Sequence, residues 1–320
     1  MGGDKAEVGG EPKEHTVCRA GPDEQKQQEV KRFWDAQPCG SGLSRKARGE
    51  QEYFAEIEQV RYTRQPHIPQ LLARTDWKGK KVLEIGTGSG TDARHVIARG
   101  GLYTGVNVDW GSTALTRSAL AVFSLAGTMV QSNATQLPFK SETFDIVYTF
   151  GVLHHIPEVD RAIAEIHRIL KTGGTLLCML YNRDSINYRI EIMFLRKAFL
   201  RTLRIPGTLK LFAAMGISEQ ILRRHGELYE FRRDMTPEEW LGRNTDGPDN
   251  PFSRVYGKDE AAELLKRFRI RRQEVHFFDP RHWGTFGMHL PRRTVQMFGR
   301  KWGWHRWIEA TKAGNLSPPT

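Results

Sequence analysis
The run Lys81-Val-Leu-Glu-Ile-Gly-Thr-Gly-Ser-Gly90 places glycines at alternate positions, Gly86, Gly88 and Gly90, just beyond the acidic Glu84. Such glycines leave backbone N–H groups bare, so a ligand can approach the chain where a strand turns into a helix. Two residues constrain what that ligand is. A pyrophosphate-binding turn wants Gly-x-Gly-x-x-Gly, and here Thr91 stands where its last glycine would fall. Glu84 would also repel a pyrophosphate, whereas its carboxylate suits a cation. Taken alone, the turn is equally a tight strand-to-helix connection without a ligand.

Other residues with chemistry to offer fall at the ends of apolar segments, where open α/β sheets present side chains to ligands. Asn107 and Val108 close the second such segment, with Asp109 on the same face as Asn107. Asn133 and Ala134 follow the third, and Phe150 ends the fourth, with His154 and His155 in the turn beyond it. Tyr181 ends the fifth. His154, His155, Tyr181 and, much later, His282 are the groups able to take a proton, although a histidine behind a strand more often holds structure.

The elements that must position these residues alternate in type. Val82, Leu83 and Ile85 make an apolar run typical of a strand buried on both faces. Residues 91–99 follow as an amphipathic helix stopped by Gly100 and Gly101. Strands are expected over 101–109, 128–131, 141–150 and 175–181, and helices over 113–126 and 160–170. Residues 29–34 and 50–72 also read as helical.

In this order the segments resemble class I S-adenosylmethionine-dependent methyltransferases, in the ubiquinone-biosynthesis-like branch that acts on small molecules. The resemblance rests on Glu-x-Gly-x-Gly-x-Gly, on Gly105-Val-Asn107, on Asn133-Ala-Thr-Gln-Leu-Pro-Phe139, on Phe144-Asp-Ile-Val147 and on Leu153-His-His155. It covers residues 66–182. It implies a Rossmann-like, seven-stranded α/β sheet flanked by helices, with S-adenosylmethionine as cofactor and no metal. It also implies cofactor contacts from Glu84, Gly86, Thr87, Gly88, Gly90, Asn107, Val108, Asn133, Ala134 and Phe150. In the family a carboxylate meets the ribose and another acidic residue meets the adenine amino group; Asn107 and Asn133 stand in those places here. The segment Trp34-x-x-x-Pro-Cys-Gly40 resembles a piece that precedes the fold in many bacterial relatives. It is a lid over the site or a helix whose aromatics pack on the core.

Beyond this core the chain departs from a minimal member of the family. The expected organisation is a disordered polar tail over 1–28, an N-terminal helical lid over 29–65 and the cofactor-binding core over 66–182. A helical substrate-cap insertion over 183–256 follows, then the end of the sheet with a loop excursion over 257–312 and a tail over 313–320. Residues 186–215 carry six basic residues against the single acid Glu191, interleaved with apolar ones, as on a cap or a membrane-surface helix. Thr236 starts a helix, and 243–251 is a turn-rich loop.

The net charge of +11 makes acidic partners plausible, including anionic membrane. Nucleic-acid amino-methylating enzymes carry an Asn/Asp-Pro-Pro-aromatic turn after the fourth strand, where this chain has Phe150-Gly-Val-Leu-His-His155. Charge alone is non-specific, so nucleic acid loses ground. The three cysteines are too scattered for a zinc site or a disulfide framework. Without an apolar signal region or a spanning stretch, the expected location is cytoplasmic, with peripheral membrane contact. The expected function is methyl transfer to a small, hydrophobic or lipid-like molecule. The alternatives are a non-catalytic protein of this fold that docks on membranes or partners, or a nucleic-acid methyltransferase.

Overall fold
The computed structural model describes residues 21–214, 218–220, 222–223, 226–227, 235–247, 249–283 and 287–313. Helix α1 (Pro22–Ala36) opens it, ahead of the expected start at Glu29. Proline in the first turn with Asp23 and Glu24 favours a helix start, and burial of Gln27, Val30 and Phe33 anchors a segment whose polar composition suggested disorder. The rest of the expected tail, residues 1–20, lies outside the described residues. Helices α2 (Gln51–Arg64) and α3 (His67–Leu72) follow, interrupted at Pro66, which cannot donate within a helix.

The core then alternates as expected: β1 (Lys81–Ile85), α4 (Thr91–Ala98), β2 (Leu102–Asn107), α5 (Trp110–Val122), β3 (Gly127–Gln131), β4 (Phe144–Phe150), α6 (Val159–Ile169) and β5 (Leu170–Tyr181). The insertion holds a π-helical stretch (Asn187–Leu195), α7 (Arg196–Thr202), α8 (Thr208–Ala214) and α9 (Pro237–Arg243). The basic amphipathic segment is therefore broken into pieces, with Pro206 and Gly207 between α7 and α8. Thr236 does start a helix, through a full capping box with Glu239. The sheet resumes with α10 (Lys258–Leu264) and β6 (Phe268–His276). The expected loop excursion contains a helix, α11 (Arg292–Trp302), before β7 (His305–Lys312). Val295 and Phe298 share its half-buried face, and Gly299 lets the helix approach the Phe277 and Phe278 backbone.

The seven strands are ordered β3-β2-β1-β4-β5-β7-β6. β1 through β5 pair in parallel, and β7 runs antiparallel to both β5 and β6. Apolar side chains fill both faces. Ile85, Val106 and Val147 meet Ile163 and Ile166 of α6 on one, and Val82 and Tyr148 meet Leu72, Trp77 and Val96 on the other. Strand order reverses between β1 and β4, so their C-terminal ends open a crevice at the sheet's switch point. A parallel bridge between Asn182 and Tyr256 closes the base of the insertion above it.

Candidate active site
The glycine turn joins β1 to α4 with Gly86 and Gly88 at φ of 78° and 55°, a region that side chains rarely adopt. A Cβ on Gly86 would collide with Val152, and one on Gly88 would stand 3.2 Å from the Cys39 carbonyl oxygen. The turn is thus closely covered by the segment after α1. Gly90 has a different task. It packs α4 against Thr116 and Ala119 of α5 and stands behind the wall of the site, although the family resemblance places it among the cofactor contacts.

Asn107 at the end of β2 faces back to the turn. Its Oδ1 accepts the Thr87 N–H at 2.8 Å, and its Nδ2 donates to Thr87 Oγ1 at 2.8 Å. The amide expected at the ribose thus shapes the turn with both its ends, keeping one N–H and one lone pair spare. Asp109 is the N-cap of α5, accepting the Ser112 N–H at 2.6 Å. Asn133 Oδ1 likewise accepts from Thr135 N–H at 3.0 Å.

Glu84 is buried beneath the turn, accepting from the Tyr103 hydroxyl at 2.5 Å. Burial, and then the charge of nearby Asp92, push its carboxyl well above the usual range. Asp92 accepts from Arg61 at 2.6 Å, Tyr148 at 2.7 Å and Tyr62 at 2.9 Å. The floor of the site therefore holds two carboxyls close enough to couple and one guanidinium, Arg61. A cation set above it would favour the ionised form of Glu84. Asp92 gave little signal in the sequence, because an acid in a helix's first turn is commonplace. Arg61 sits on another helix entirely.

A single cavity of about 490 Å³ runs from this floor into the insertion and the second excursion. Glu84, Gly86, Thr87, Gly88, Asn107, Val108, Asn133, Ala134 and Phe150 line one end. Trp34, Tyr181, Phe277, Trp283, Trp302 and Trp304 give the cavity aromatic walls. Of the groups proposed for proton transfer, His155 and Tyr181 border the cavity. His154 does not: its ring is stacked 3.6 Å from that of Tyr181, centroid to centroid, and is fully buried. Burial, then His155 and His305, hold it well below the usual imidazole range, so it is neutral. His282 falls in the 3-10 turn Pro280–Trp283, its side chain outside the described residues. Asp246, from the turn-rich loop of the insertion, lines the cavity and was not foreseen.

The chemistry of these residues suits S-adenosylmethionine. Two glycines cradle a close approach, and the paired buried carboxyls below them suit its ammonium and sulfonium charges. Residues 83–178 match the methyltransferase domain family. Over that stretch the chain is similar to a methyltransferase domain. Over 118 residues it is 32% identical to demethylmenaquinone methyltransferase of Thermobifida fusca, covering 37% of this chain and 49% of that protein. Over 107 residues it is 33% identical to fatty-acid O-methyltransferase of Mycolicibacterium smegmatis, covering 33% and 38%. The chain thus spans about half or less of these curated relatives. The fold is that of S-adenosylmethionine-dependent methyltransferases: one from Methanosarcina mazei superposes with a TM-score of 0.50 at 19% identity, over 77% of this chain and 97% of that one. The domain match ends at Cys178, so the insertion with Asp246 and most of the aromatic wall lie beyond it.

Proposed function
We propose that this chain is an S-adenosylmethionine-dependent methyltransferase acting on a small, apolar acceptor. One observation carries the proposal: the acidic floor of Glu84 and Asp92 under the glycine turn opens directly into an aromatic chamber. Glu84, the Thr87–Gly88 backbone, Asn107, Val108 and Ala134 would hold the cofactor, which supplies an electrophilic methyl group on a sulfonium. Aromatic walls then orient an acceptor and exclude water, the larger part of catalysis for such a displacement. Trp34 and Cys39 line the same cavity from the N-terminal segment and act as its lid.

The acceptor is hydrophobic or lipid-like, and the insertion reaches it from an anionic membrane. Ile190, Phe194, Leu195, Ile205 and Leu211 stand exposed among basic residues that include Arg201 and Lys210. Among the described residues no helix is long and apolar enough to cross a bilayer, so the contact is a surface one. The relatives named for a quinone and for a fatty acid are consistent with such acceptors. The test is calorimetric titration with S-adenosylmethionine, followed by labelled methyl transfer to fractionated lipids. Absence of cofactor binding defeats the enzyme proposal in favour of a degenerate scaffold. Sedimentation with anionic and neutral vesicles tests the surface contact, which fails if both recruit equal protein or if salt leaves recruitment unchanged.

A further inference from the structure
Beside the glycine turn, four side chains from four segments line the cavity. Asp246 of the insertion accepts the Tyr181 hydroxyl of β5 at 2.9 and 3.0 Å, one distance to each carboxylate oxygen. Asn250 donates to its Oδ2 at 3.3 Å. His155, from the turn after β4, places Nε2 3.5 Å from the same oxygen. Cys39, whose carbonyl covers Gly88, lines the same cavity. The group therefore adjoins the part of the glycine turn where the cofactor is proposed to sit.

The histidine is the unusual member. Its side chain is 3% exposed, and its Nδ1 lies 3.0 Å from the Phe252 carbonyl oxygen and 3.0 Å from Ser253 Oγ. Nδ1–H donation to the carbonyl leaves Nε2 as a bare lone pair. Nε2 is buried and makes no hydrogen bond within ordinary limits. In that tautomer the Nε2 lone pair faces a carboxylate oxygen across 3.5 Å, which is a place for one proton. Once filled, it becomes an imidazolium–carboxylate pair and both acceptors are satisfied.

We propose that Asp246 and His155 form the proton-accepting pair for the methyl acceptor. Asp246, whose side chain is 24% exposed, meets the acceptor's O–H, and His155 behind it stores the proton. The acceptor's O–H bond breaks with its electron pair left on oxygen as an Asp246 oxygen takes the proton, and that new O–H bond breaks in turn as the Nε2 lone pair forms an N–H bond and the carboxylate is restored. The acceptor class is then an acidic hydroxyl on a ring that fits the aromatic chamber. This rests on the proposed cofactor site.

The test keeps the two apart by using no turnover. The full chain is loaded with S-adenosylhomocysteine and titrated with 4-nitrophenol below that probe's own pKa, reading phenol against phenolate absorbance. Wild type is expected to bind the probe as phenolate, with at least a tenfold shift in its ionisation ratio. Asp246→Asn should bind it as neutral phenol, His155→Gln should lose most of the shift, and Asp246→Glu should restore part of it. Tyr181→Phe removes a competing donor from the carboxylate and should leave the shift at least as large, which serves if His155→Gln does not fold. S-adenosylhomocysteine affinity should stay within twofold in all four. A neutral bound probe in wild type, a phenolate in Asp246→Asn, or no probe binding to the loaded wild type overturns the pair while leaving the cofactor site standing. Failure to bind S-adenosylhomocysteine at all would remove both.

Discussion

Single residues at the glycine turn each combine a backbone role with an electrostatic one, so their variants should separate the two. Gly88→Val puts a branched side chain at φ 55° against the Cys39 carbonyl and should abolish S-adenosylmethionine binding by calorimetry, in a chain that still unfolds cooperatively. Asn107→Leu strands the buried Thr87 N–H and should cost about 1–3 kcal/mol in stability together with weaker cofactor binding. Asn107→Asp keeps that acceptor and should retain binding. If Asp109→Ala causes the loss instead, the ribose contact belongs to the helix cap. Glu84 makes a different prediction. Its raised pKa means that it holds its proton in the free protein above the usual carboxylate range. A cation bound over it favours the ionised form, so cofactor binding should release a proton and tighten as pH rises through that range. Calorimetry in buffers of unlike ionisation enthalpy reads the release directly, and Glu84→Gln should remove it.

At the scale of elements, the insertion brings Asp246 over a core that would otherwise end at the strand tips, and the second excursion supplies most of the aromatic wall. Helix α9 anchors it. Its Thr236–Glu239 capping box satisfies two N-terminal donors, and Trp240 and Leu241 are buried against the core. Thr236→Ala should destabilise by about 1 kcal/mol, read as a lower denaturant midpoint. Glu239 also accepts from Lys26 of α1 at 2.8 Å, so the two elements that cover the site touch each other. That pair is partly exposed and contributes little stability by itself, yet it gives the cover a common edge. The N-terminal half of the cover is tested by Trp34→Ala. The ring meets His155 edge-on at 5.3 Å, so its removal should weaken acceptor binding more than cofactor binding.

The whole molecule carries an acid-sensitive seam beside the cavity. His67 Nε2 lies 2.9 Å from His305 Nδ1, and the His276 ring is stacked on His67 at 5.5 Å. Burial, then the neighbouring His276, lowers His67 to about 3, while burial and then His67 hold His305 well below the usual range. Both are neutral when folded. Unfolded, each would take a proton near the ordinary imidazole pKa of about 6.5. Their stability contribution is therefore full above about 6.5 and is lost as pH falls from there toward about 3. Each such histidine should steepen the acid loss by about 1.4 kcal/mol per pH unit. Urea midpoints between neutral pH and about pH 5 should fall accordingly, and His67→Gln should flatten the slope by one histidine's share.

The alternation of apolar runs with amphipathic helices determined the core by sequence alone. Buried parallel strands read as unbroken Val/Leu/Ile segments, and three glycines mark the turn where β1 meets α4. That most of the residues named at the glycine turn and strand ends line one cavity follows for the same reason, since strand ends close in sequence to their motifs meet at the sheet's edge. Only the tertiary structure decided the rest. Arg61 and Asp92, which set the charge beside Glu84, come from separate helices and meet by packing. Asp246 comes from a loop beyond the recognisable core and faces His155 because Asn182 and Tyr256 close the insertion's base. Asn107 looked like a ligand contact from its place in the strand, and its bonds to Thr87 became visible only when the turn folded back on it. Local pattern fixes which element a residue joins, whereas contacts between distant segments depend on how those elements pack.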